Sequence, residues 1–431
     1  MEQFSTSSSE SSDSSSEYSL EFYMDTSWVL DAANLVFFMQ AGFGMLEAGM
    51  VRAKNTKSIL LKNLINTAIC AISYYCVGHS FAYGKVNPNS FVGFGNFFLM
   101  DYTHYAYWMI QWAYAATATT IATGAMAERL QLHCYILFTL VQTILIYPFV
   151  AHWIWSQNGW LFDLGIVDFA GGAVIHIVAG ITGACGSFLL GPRIGRFNQE
   201  SGKPKNLPGH SVVLMSLGAM ILWYSWYGYT AGASLGMTRS RVLPASRVSV
   251  VVTLSGATGL ITVLGIGKIF NGHYDLVKGI NGLIAGLVSS TSSCAYIEPW
   301  AAIIIGFIGG IVYWFSSWAL LNWLRLDDPV DSTAIHLFGG CWSLISVAFF
   351  ATHGRVRNPD IILPGGIFYG GGISLLWVQL VGMVLAILWA GFLSGIFFFT
   401  MDYFGKLRVD VDTELAGLDN SNHGGSAYIF D

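Results

Sequence analysis

The segment DFAGGAVIHIVAGITGACGSFLL, residues 168–190, decides the fold. Apart from Asp168 and His176, every residue in it is apolar, small or a hydroxyl residue. The hydrocarbon core of a bilayer needs about 20 such residues per helix, so the segment predicts a membrane-spanning helix. An ionisable group inside such a helix is costly and is by default a candidate for function. His176 is therefore the first candidate site residue.

The composition of the whole chain agrees with this segment. Of its 431 residues, 54% are hydrophobic and only 10% are charged, whereas soluble domains carry roughly 25% charged residues. A globule so poor in charge could not cover itself with polar groups, which excludes a water-soluble enzyme. The chain has no basic run of the kind that binds nucleic acid. Its six cysteines lie in apolar stretches without a CxxC pair, which disfavours disulfides and zinc sites.

Apolar stretches of sufficient length predict eleven membrane spans joined mostly by short loops. Their centres lie near residues 39, 70, 115, 143, 179, 224, 257, 287, 311, 342 and 387. Most loop Lys and Arg residues fall on the inner side if the N-terminus is outside, as the positive-inside rule requires, although Arg239, Arg241 and Arg247 run against it. Residues 1–26 are rich in Ser, Glu and Asp and are expected to form a disordered extracellular tail.

A second histidine occupies the matching place in the tenth span. His336 and His176 hold the same ordinal position in two successive sets of five spans. Transporters often consist of two inverted repeats with the site at their interface, so we expect the two histidines to meet there. Neutral imidazoles could line a channel, relay a proton or bind a small hydrogen-bonding molecule, whereas two histidines alone make a poor metal site. Asp168 and Asp331 each open their helix, and N-capping is an alternative role for both.

Seven short motifs follow one another along the chain from about Ser27 to the C-terminus. They are AGFGMLEAG (41–49), GAMAER (124–129), DFAGG (168–172), NGLIAGLV (281–288), EPWAA (298–302), DDPVD (327–331) and HGGSAY (423–428). In this order they resemble the ammonium transporter (Amt/Mep/Rh) family, and most of all its plant and algal Amt branch.

The resemblance implies an all-α polytopic membrane protein of eleven transmembrane helices. The transmembrane domain would cover 27–403, with two inverted repeats of five helices (about 27–190 and 211–352) followed by a long eleventh helix (about 373–403). It further implies a homotrimer in the lipid bilayer of the plasma membrane, with one pore per subunit, the N-terminus outside and the C-terminus in the cytosol. No metal or other cofactor is implied.

The resemblance also assigns roles to residues of the pore. They are pore lining for His176 and His336, cation recruitment for Trp155, Asp168, Ala233 and Ser234, and gating for Tyr114 and Tyr229. Asp168 would shape and electrostatically support the outer cation site rather than take the proton. Ala233 stands where the family has a serine, with Ser234 adjacent. The family's gate consists of two phenylalanines, so the two tyrosines are a departure that bears on rate and selectivity.

Two acids and the C-terminal tail complete the expectations. Glu128 and Asp331 belong to two of the motifs and are expected to be structural or functional acids. Residues 404–431 would form a cytosolic regulatory tail, in which the regulatory threonine of the plant branch falls at Ser421. A phosphate at Ser421 would be repelled by Asp419 and would displace the tail.

The function that the resemblance implies is transmembrane ammonium transport. Ammonium would be recruited at the outer site and deprotonated, and ammonia would pass the histidines while the proton is relayed separately. Methylammonium would also be a substrate. Potassium cannot give up a proton and would be rejected. Two alternatives stay open: an ammonium sensor with weak or no transport, which the altered gate favours, and an Rh-like electroneutral channel for ammonia or carbon dioxide. No motif of an intramembrane enzyme is present.

Overall fold

The computed structural model describes residues 18–86, 89–355 and 362–428, and most of these residues are helical. Within them, a helix lies at each of the eleven predicted centres. The helices are α1 (Leu20–Met50), α2 (Ala53–Tyr83), α3 (Tyr105–Gly124), α4 (Leu132–Asp163), α5 (Gly172–Leu190), α6 (Val212–Ser234), α7 (Arg239–Asn271), α8 (Leu276–Ser289), α9 (Pro299–Asn322), α10 (Thr333–Phe350) and α11 (Ser374–Tyr403). The predicted all-helical polytopic fold is therefore confirmed.

Nine of these helices in the described residues are long and apolar enough to cross a membrane. The other two are α3 and α8. Helix α3 has 20 residues but includes Gln111 and several threonines and tyrosines, and α8 has only 14 residues. The total of eleven spans thus stays a prediction, because these two helices depend on their neighbours to cover polar groups or to complete the thickness of the bilayer.

Helices with the same ordinal position in the two sets of five pack against each other. Helix α1 packs along α6, and α5 packs against α10. Symmetry-related elements meet in this way at the interface between two inverted repeats, which is where transporters of this construction place their site. The long helix α11 lies outside the two sets and packs on α5 and α10.

The first helix begins earlier than the sequence predicts. Residues 20–26, which we assigned to a disordered tail, form the first turns of α1, so this part of the assignment is wrong; residues 1–17 lie outside the described part of the chain. Ser19 caps the helix by accepting a hydrogen bond from the amide of Phe22 at 3.2 Å. The buried Asp25 accepts hydrogen bonds from the amides of Met237 (2.8 Å) and Thr238 (3.0 Å). Because these protein donors replace water at the Asp25 carboxylate, the first turns of α1 can be helical although they contain a buried acid.

Acidic side chains pair with the three arginines that oppose the positive-inside rule. Arg239 pairs with Glu21 at 2.6 Å, and Arg241 pairs with Asp25. A third arginine, Arg247, lies 3.6 Å from a Glu298 oxygen. Each of the three arginines therefore has an acidic partner within the protein.

After α11 the chain returns along one face of the bundle as two short helices, α12 (Val411–Ala416) and α13 (Leu418–Asn422). Lys54 donates hydrogen bonds to backbone carbonyls of α12, and Asn55 accepts one from the amide of Leu418 at 2.9 Å. The tail therefore docks where α2 begins. A two-stranded antiparallel pair, β1 (Gly354–Arg355) and β2 (Ile362–Leu363), lies in the loop before α11.

Candidate functional site

The two predicted histidines lie side by side where α5 meets α10. His176 Nδ1 and His336 Nδ1 are 3.1 Å apart, and the rings stack with centroids separated by 5.1 Å. Both side chains are buried. A neutral imidazole has one donor and one acceptor nitrogen, so a hydrogen bond between two Nδ1 atoms requires the two rings to be different tautomers. Such a pair can pass a proton from one outer nitrogen to the other.

Local geometry brings the histidines together. Each lies in a π-helical turn at the start of its helix, Gly172–Ile177 in α5 and Thr333–Phe338 in α10. Turns of this kind are rare and recur at functional sites. Helix α5 also approaches α10 closely, because a Cβ atom on Gly180 would lie 2.3 Å from the backbone nitrogen of Leu337. Any larger residue at 180 would separate the two helices.

Tyr229 extends this pair by a third group. Its Oη lies 3.2 Å from His176 Nε2, and its ring centroid is 5.7 Å from that of the histidine. On another side His176 stacks on Trp226, with centroids 5.6 Å apart and planes within 6°. Tyr229, His176 and His336 thus form one hydrogen-bonded series, and Tyr229 must move before anything else can reach His176 Nε2.

Tyr114 and Trp155 continue the aromatic contacts beyond Tyr229. The Tyr114 hydroxyl donates a 2.9 Å hydrogen bond to the backbone carbonyl of Tyr229, and the two rings meet edge to face at 5.3 Å. Trp155 lies at the end of the long part of α4, and its ring is 5.8 Å from that of Tyr114. The structure therefore brings Trp155, both predicted gate residues and both histidines into one continuous series.

Asp168 caps α5 and also positions Trp155. Its carboxylate accepts the amide hydrogens of residues 171–174, at distances from 2.6 to 3.1 Å, and the hydroxyl of Ser292 at 2.8 Å. Its backbone carbonyl accepts the indole N–H of Trp155 at 2.7 Å. The N-capping role is thus observed for Asp168. Because its lone pairs are used by five donors, the carboxylate is a fixed negative charge rather than a free proton acceptor.

The same role predicted for Asp331 is wrong. Asp328 is the acid that caps α10, since its carboxylate accepts the amide hydrogens of Val330 (3.1 Å) and Thr333 (2.7 Å). Asp331 has a left-handed backbone, with φ of 55°, that turns its side chain away from the helix end. The sequence held a signal for this, because Asp328 lies eight residues before His336, as Asp168 lies eight before His176.

Asp331 instead makes an ion pair beside α10. Its carboxylate accepts hydrogen bonds from Lys278 (2.9 Å), Tyr313 (2.7 Å) and Ser317 (3.0 Å). Asp331, Lys278 and Ser317 line a small cavity together with Asp328, Arg196 and Ala334, the last of which lies two residues before His336. Burial raises the pKa of the Asp328 carboxyl to about 6. The cavity lies where α10 begins, which the sequence predicts to be the cytosolic end of the pore.

Glu128 belongs to a network of buried charges that ties the loops of one face together. Its carboxylate accepts the amide of Arg52 at 2.8 Å and pairs with Arg193 at 3.1 Å. Arg193 also pairs with Asp327 at 2.8 Å. Burial opposes ionisation of Asp327, but the Arg193 guanidinium outweighs it and holds the pKa of the Asp327 carboxyl well below its usual range. Glu128 is thus a structural acid, and Arg193 is a partner that the sequence analysis missed.

The remaining recruitment residues lie at the end of α6. Ala233 is buried, and Ser234 is partly buried. The Ser234 hydroxyl accepts a hydrogen bond from the indole N–H of Trp28 at 3.1 Å, and it lies 2.8 and 2.7 Å from the carbonyls of Ala231 and Gly236. Its oxygen is therefore held by the local turn at this end of α6.

Ser421 lies exposed on α13, two residues after the buried Asp419. The Asp419 carboxylate accepts the amides of Lys57 (2.9 Å) and Ser58 (2.8 Å), and so it caps the first turns of α2 from the tail. The amide of Ser421 donates to the carbonyl of Gly417 at 3.1 Å. A charge added to Ser421 would act on a segment that the Asp419 carboxylate helps to hold against α2.

Known proteins resemble this chain over nearly its whole length. The Ammonium Transporter Family matches residues 27–428. Ammonium transporter 1 member 3 of Solanum lycopersicum is 38% identical over 454 aligned positions, which cover 96% of this chain and 95% of that protein. A solved structure named Sensor Amt Protein superimposes with a TM-score of 0.86 at 30% identity and covers 94% of this chain and 99% of its own. Candida albicans Mep2 superimposes with a TM-score of 0.82 at 28% identity, over 90% and 87% of the two chains.

Proposed function

Because the chain belongs to the ammonium transporter family, we propose that it carries ammonium through a pore that is lined by His176 and His336 and closed by Tyr229. The chain is a multi-pass membrane protein, and its relatives are named as transporters rather than as enzymes. The observation that carries the proposal is the hydrogen-bonded series Tyr229–His176–His336, with two links of 3.2 and 3.1 Å. It offers a proton path in a region that is otherwise apolar.

Recruitment takes place at Trp155. An ammonium ion over an indole face gains about 0.5–2 kcal/mol from cation–π attraction. The backbone carbonyl of Asp168 accepts the indole N–H at 2.7 Å, and the carboxylate of the same residue adds a fixed negative charge. Because this carboxylate already accepts five hydrogen bonds, it attracts the ion without taking its proton.

Proton transfer begins when Tyr229 leaves His176 Nε2. The ammonium ion then gives its proton to that nitrogen and becomes ammonia, while the proton on His176 Nδ1 passes to His336 Nδ1. His336 becomes cationic for a moment and releases the proton from its Nε2 toward the cavity at the start of α10. The two histidines end as the opposite tautomers, and they reset before the next cycle. Ammonia follows along the rings and takes up a proton again beyond the cavity.

Selectivity follows from this chemistry. Taking a cation out of water into an apolar tube costs many kcal/mol, and among the described residues no charged group pairs with the histidines to repay it. Ammonium avoids that cost because its proton and its neutral remainder travel separately. Potassium has no proton to give and stays outside.

We assign the rest of the molecule to assembly and control. The protein is proposed to form a homotrimer in the plasma membrane, with its N-terminus outside and its C-terminal tail in the cytosol. The described tail contacts the start of α2 and also the loop after α5, where Glu414 accepts the amide of Ile194 at 2.7 Å. Phosphate on Ser421 would add charge beside Asp419, release the cap of α2 and lower transport.

The test replaces both histidines. Ammonium currents are recorded for the wild type and for a His176→Ala, His336→Ala double variant in membranes of known protein content, first with ammonium and then with potassium. We expect the double variant to lose its ammonium current or its discrimination against potassium. A double variant with intact current and intact selectivity would show that the histidines are not the path. Cys134→Ser, which changes a side chain in α4 remote from the series, is the matched control.

An ammonium sensor is the second candidate, and two observations favour it. The chain superimposes on the structure named Sensor Amt Protein. In addition, Tyr229 closes access to His176 Nε2 by a hydrogen bond that a phenylalanine could not make. A protein that binds ammonium at Trp155 but rarely breaks this hydrogen bond would sense the ion while transporting little of it. Saturable ammonium binding without current or uptake of methylammonium would favour this role.

A further inference from the structure

A second pair of π-helical turns lies away from the histidine pore. One is Tyr74–Gly78 in α2, and the other is Gln142–Ile146 in α4. They are of the same kind as the two turns that carry the pore histidines, and turns of this kind recur at functional sites. His79 and Tyr147 follow them directly in the chain. The proposed transport path uses neither residue.

The turn in α2 places two side chains on one face. The amide of His79 bonds to the carbonyl of Tyr74, five residues back. In an α-helix of 3.6 residues per turn, a residue five positions on points about 140° away, whereas the wider turn keeps it over its predecessor. The His79 and Tyr74 rings accordingly meet at 5.9 Å, and Tyr147 reaches Tyr74 from α4 at 6.4 Å.

Two further tyrosines complete what we call the tyrosine–histidine cluster, namely Tyr74, His79, Tyr102, Tyr107 and Tyr147. The Tyr102 ring lies 4.7 Å from that of His79, and the Tyr107 ring lies 6.4 Å from it. Tyr102 and Tyr107 thus contact His79, and Tyr147 joins them through Tyr74. The cluster lies between α2, α3 and α4, under the loop that joins α2 to α3.

The centre of this cluster is polar, buried and unsatisfied. Tyr74, His79 and Tyr147 are at most 1% exposed. Among the described residues, neither tyrosine hydroxyl and neither His79 nitrogen has a hydrogen-bond partner. Native proteins leave few such groups unpaired, because each one loses its hydrogen bonds to water. Four such atoms in one cluster indicate that it binds a small polar guest.

The chemistry of the cluster selects the guest. Tyrosine oxygens and one imidazole nitrogen accept hydrogen bonds, and the ring faces attract cations. An ion with several N–H donors can donate to the tyrosine oxygens and to one His79 nitrogen, while the ring faces attract its charge.

We propose that the tyrosine–histidine cluster is a second binding site for ammonium-type cations, separate from the pore. Tyr147 connects the cluster to the pore through α4, because it begins the helical segment that ends at Trp155. The site would hold an ion beside the gate while another is at Trp155. It goes beyond the proposed function, because the histidine pore needs only one recruitment site.

The test counts sites by equilibrium binding of radiolabelled methylammonium to the purified full chain. Trp155→Leu serves as the reference protein, because it removes the ring of the proposed outer site. We expect this protein to retain one saturable site. Adding Tyr74→Phe and Tyr147→Phe keeps both rings but removes two acceptors, and it should weaken that site at least tenfold. Adding Tyr227→Phe instead, which removes a hydroxyl bonded to Thr253, should leave it unchanged.

Three outcomes would overturn the proposal. They are no saturable binding to the Trp155→Leu protein, equal binding after the two phenylalanine substitutions, and an equal loss in the Tyr227→Phe control. A second readout leaves the cluster intact: methylammonium should raise the melting temperature of the Trp155→Leu protein in a saturable way, and no rise would also refute the site. Binding is measured without transport, so the result does not depend on whether the histidine pore conducts.

Discussion

The hydroxyl of Tyr229 provides the sharpest test of the gate. The substitution Tyr229→Phe keeps the ring, which meets Tyr114 at 5.3 Å, and removes the 3.2 Å hydrogen bond to His176 Nε2. In our account this bond holds the closed state, and it must break before ammonium can reach the imidazole. Removing it should therefore destabilise the closed state more than the open state.

The size of the effect follows from the energy of one buried hydrogen bond. Such a bond contributes about 0.5–1.5 kcal/mol net. If that energy is lost from the closed state alone, the transport rate rises roughly 2- to 13-fold, at about 1.4 kcal/mol for each factor of ten. The closed state loses the same energy, so the melting temperature should fall.

The assay is the ammonium current of purified protein in liposomes, normalised to the amount of protein. Tyr227→Phe is the matched control, because it removes a hydroxyl on the same helix that bonds to Thr253 at 2.8 Å. We expect a faster current and a lower melting temperature for Tyr229→Phe, and an unchanged current for the control. A current that is unchanged or reduced in Tyr229→Phe would refute the claim that this hydrogen bond holds the pore closed.

Three further predictions concern recruitment, the inner loops and the tail. Trp155→Leu should raise the KM for ammonium about 2- to 30-fold, the equivalent of 0.5–2 kcal/mol of cation–π energy, and an unchanged KM in uptake assays would exclude recruitment by this ring. Asp327→Asn should lower the free energy of unfolding by about 3 kcal/mol, because it leaves the buried Arg193 charge with only its second partner, Glu128. The folded pKa of Asp327 is depressed, so this stabilisation is complete above the unfolded pKa of about 3.9 and is lost as pH falls through the folded pKa. Denaturation curves of the wild type and the variant should therefore converge only at strongly acidic pH. Ser421→Asp should lower transport while Ser421→Ala leaves it intact, and equal currents from both variants would argue against control through Asp419.

Much of the fold and the centre of the site could be predicted from the sequence. The helices follow from apolar stretches, and the histidines stand out because an imidazole inside such a stretch needs a reason. Their contact followed from ordinal position alone. What the sequence could not supply is the identity of hydrogen-bond partners far apart in the chain. Tyr229 and His176 are 53 residues apart, and nothing in either segment indicates that they bond.

The two errors have a common physical cause. We gave N-capping of α10 as an alternative role for Asp331 because it directly precedes the helix, but Asp331 has a left-handed backbone and pairs with Lys278, and Asp328 caps instead. We began the first span too late because Glu21 and Asp25 look like solvent-exposed acids. Asp25 is in fact buried against the loop before α7. In both cases a polar side chain is satisfied by a partner that is remote in sequence.

The central claim is that charge crosses the membrane with ammonium and not with potassium. Purified wild-type protein in liposomes allows current and accumulation of labelled methylammonium to be measured in the same preparation, under an imposed gradient of either cation. We predict a current with ammonium, uptake of methylammonium in step with its own current, and no current with potassium. Uptake without current would indicate an electroneutral channel, and binding with neither uptake nor current would indicate a sensor; either result would contradict the account.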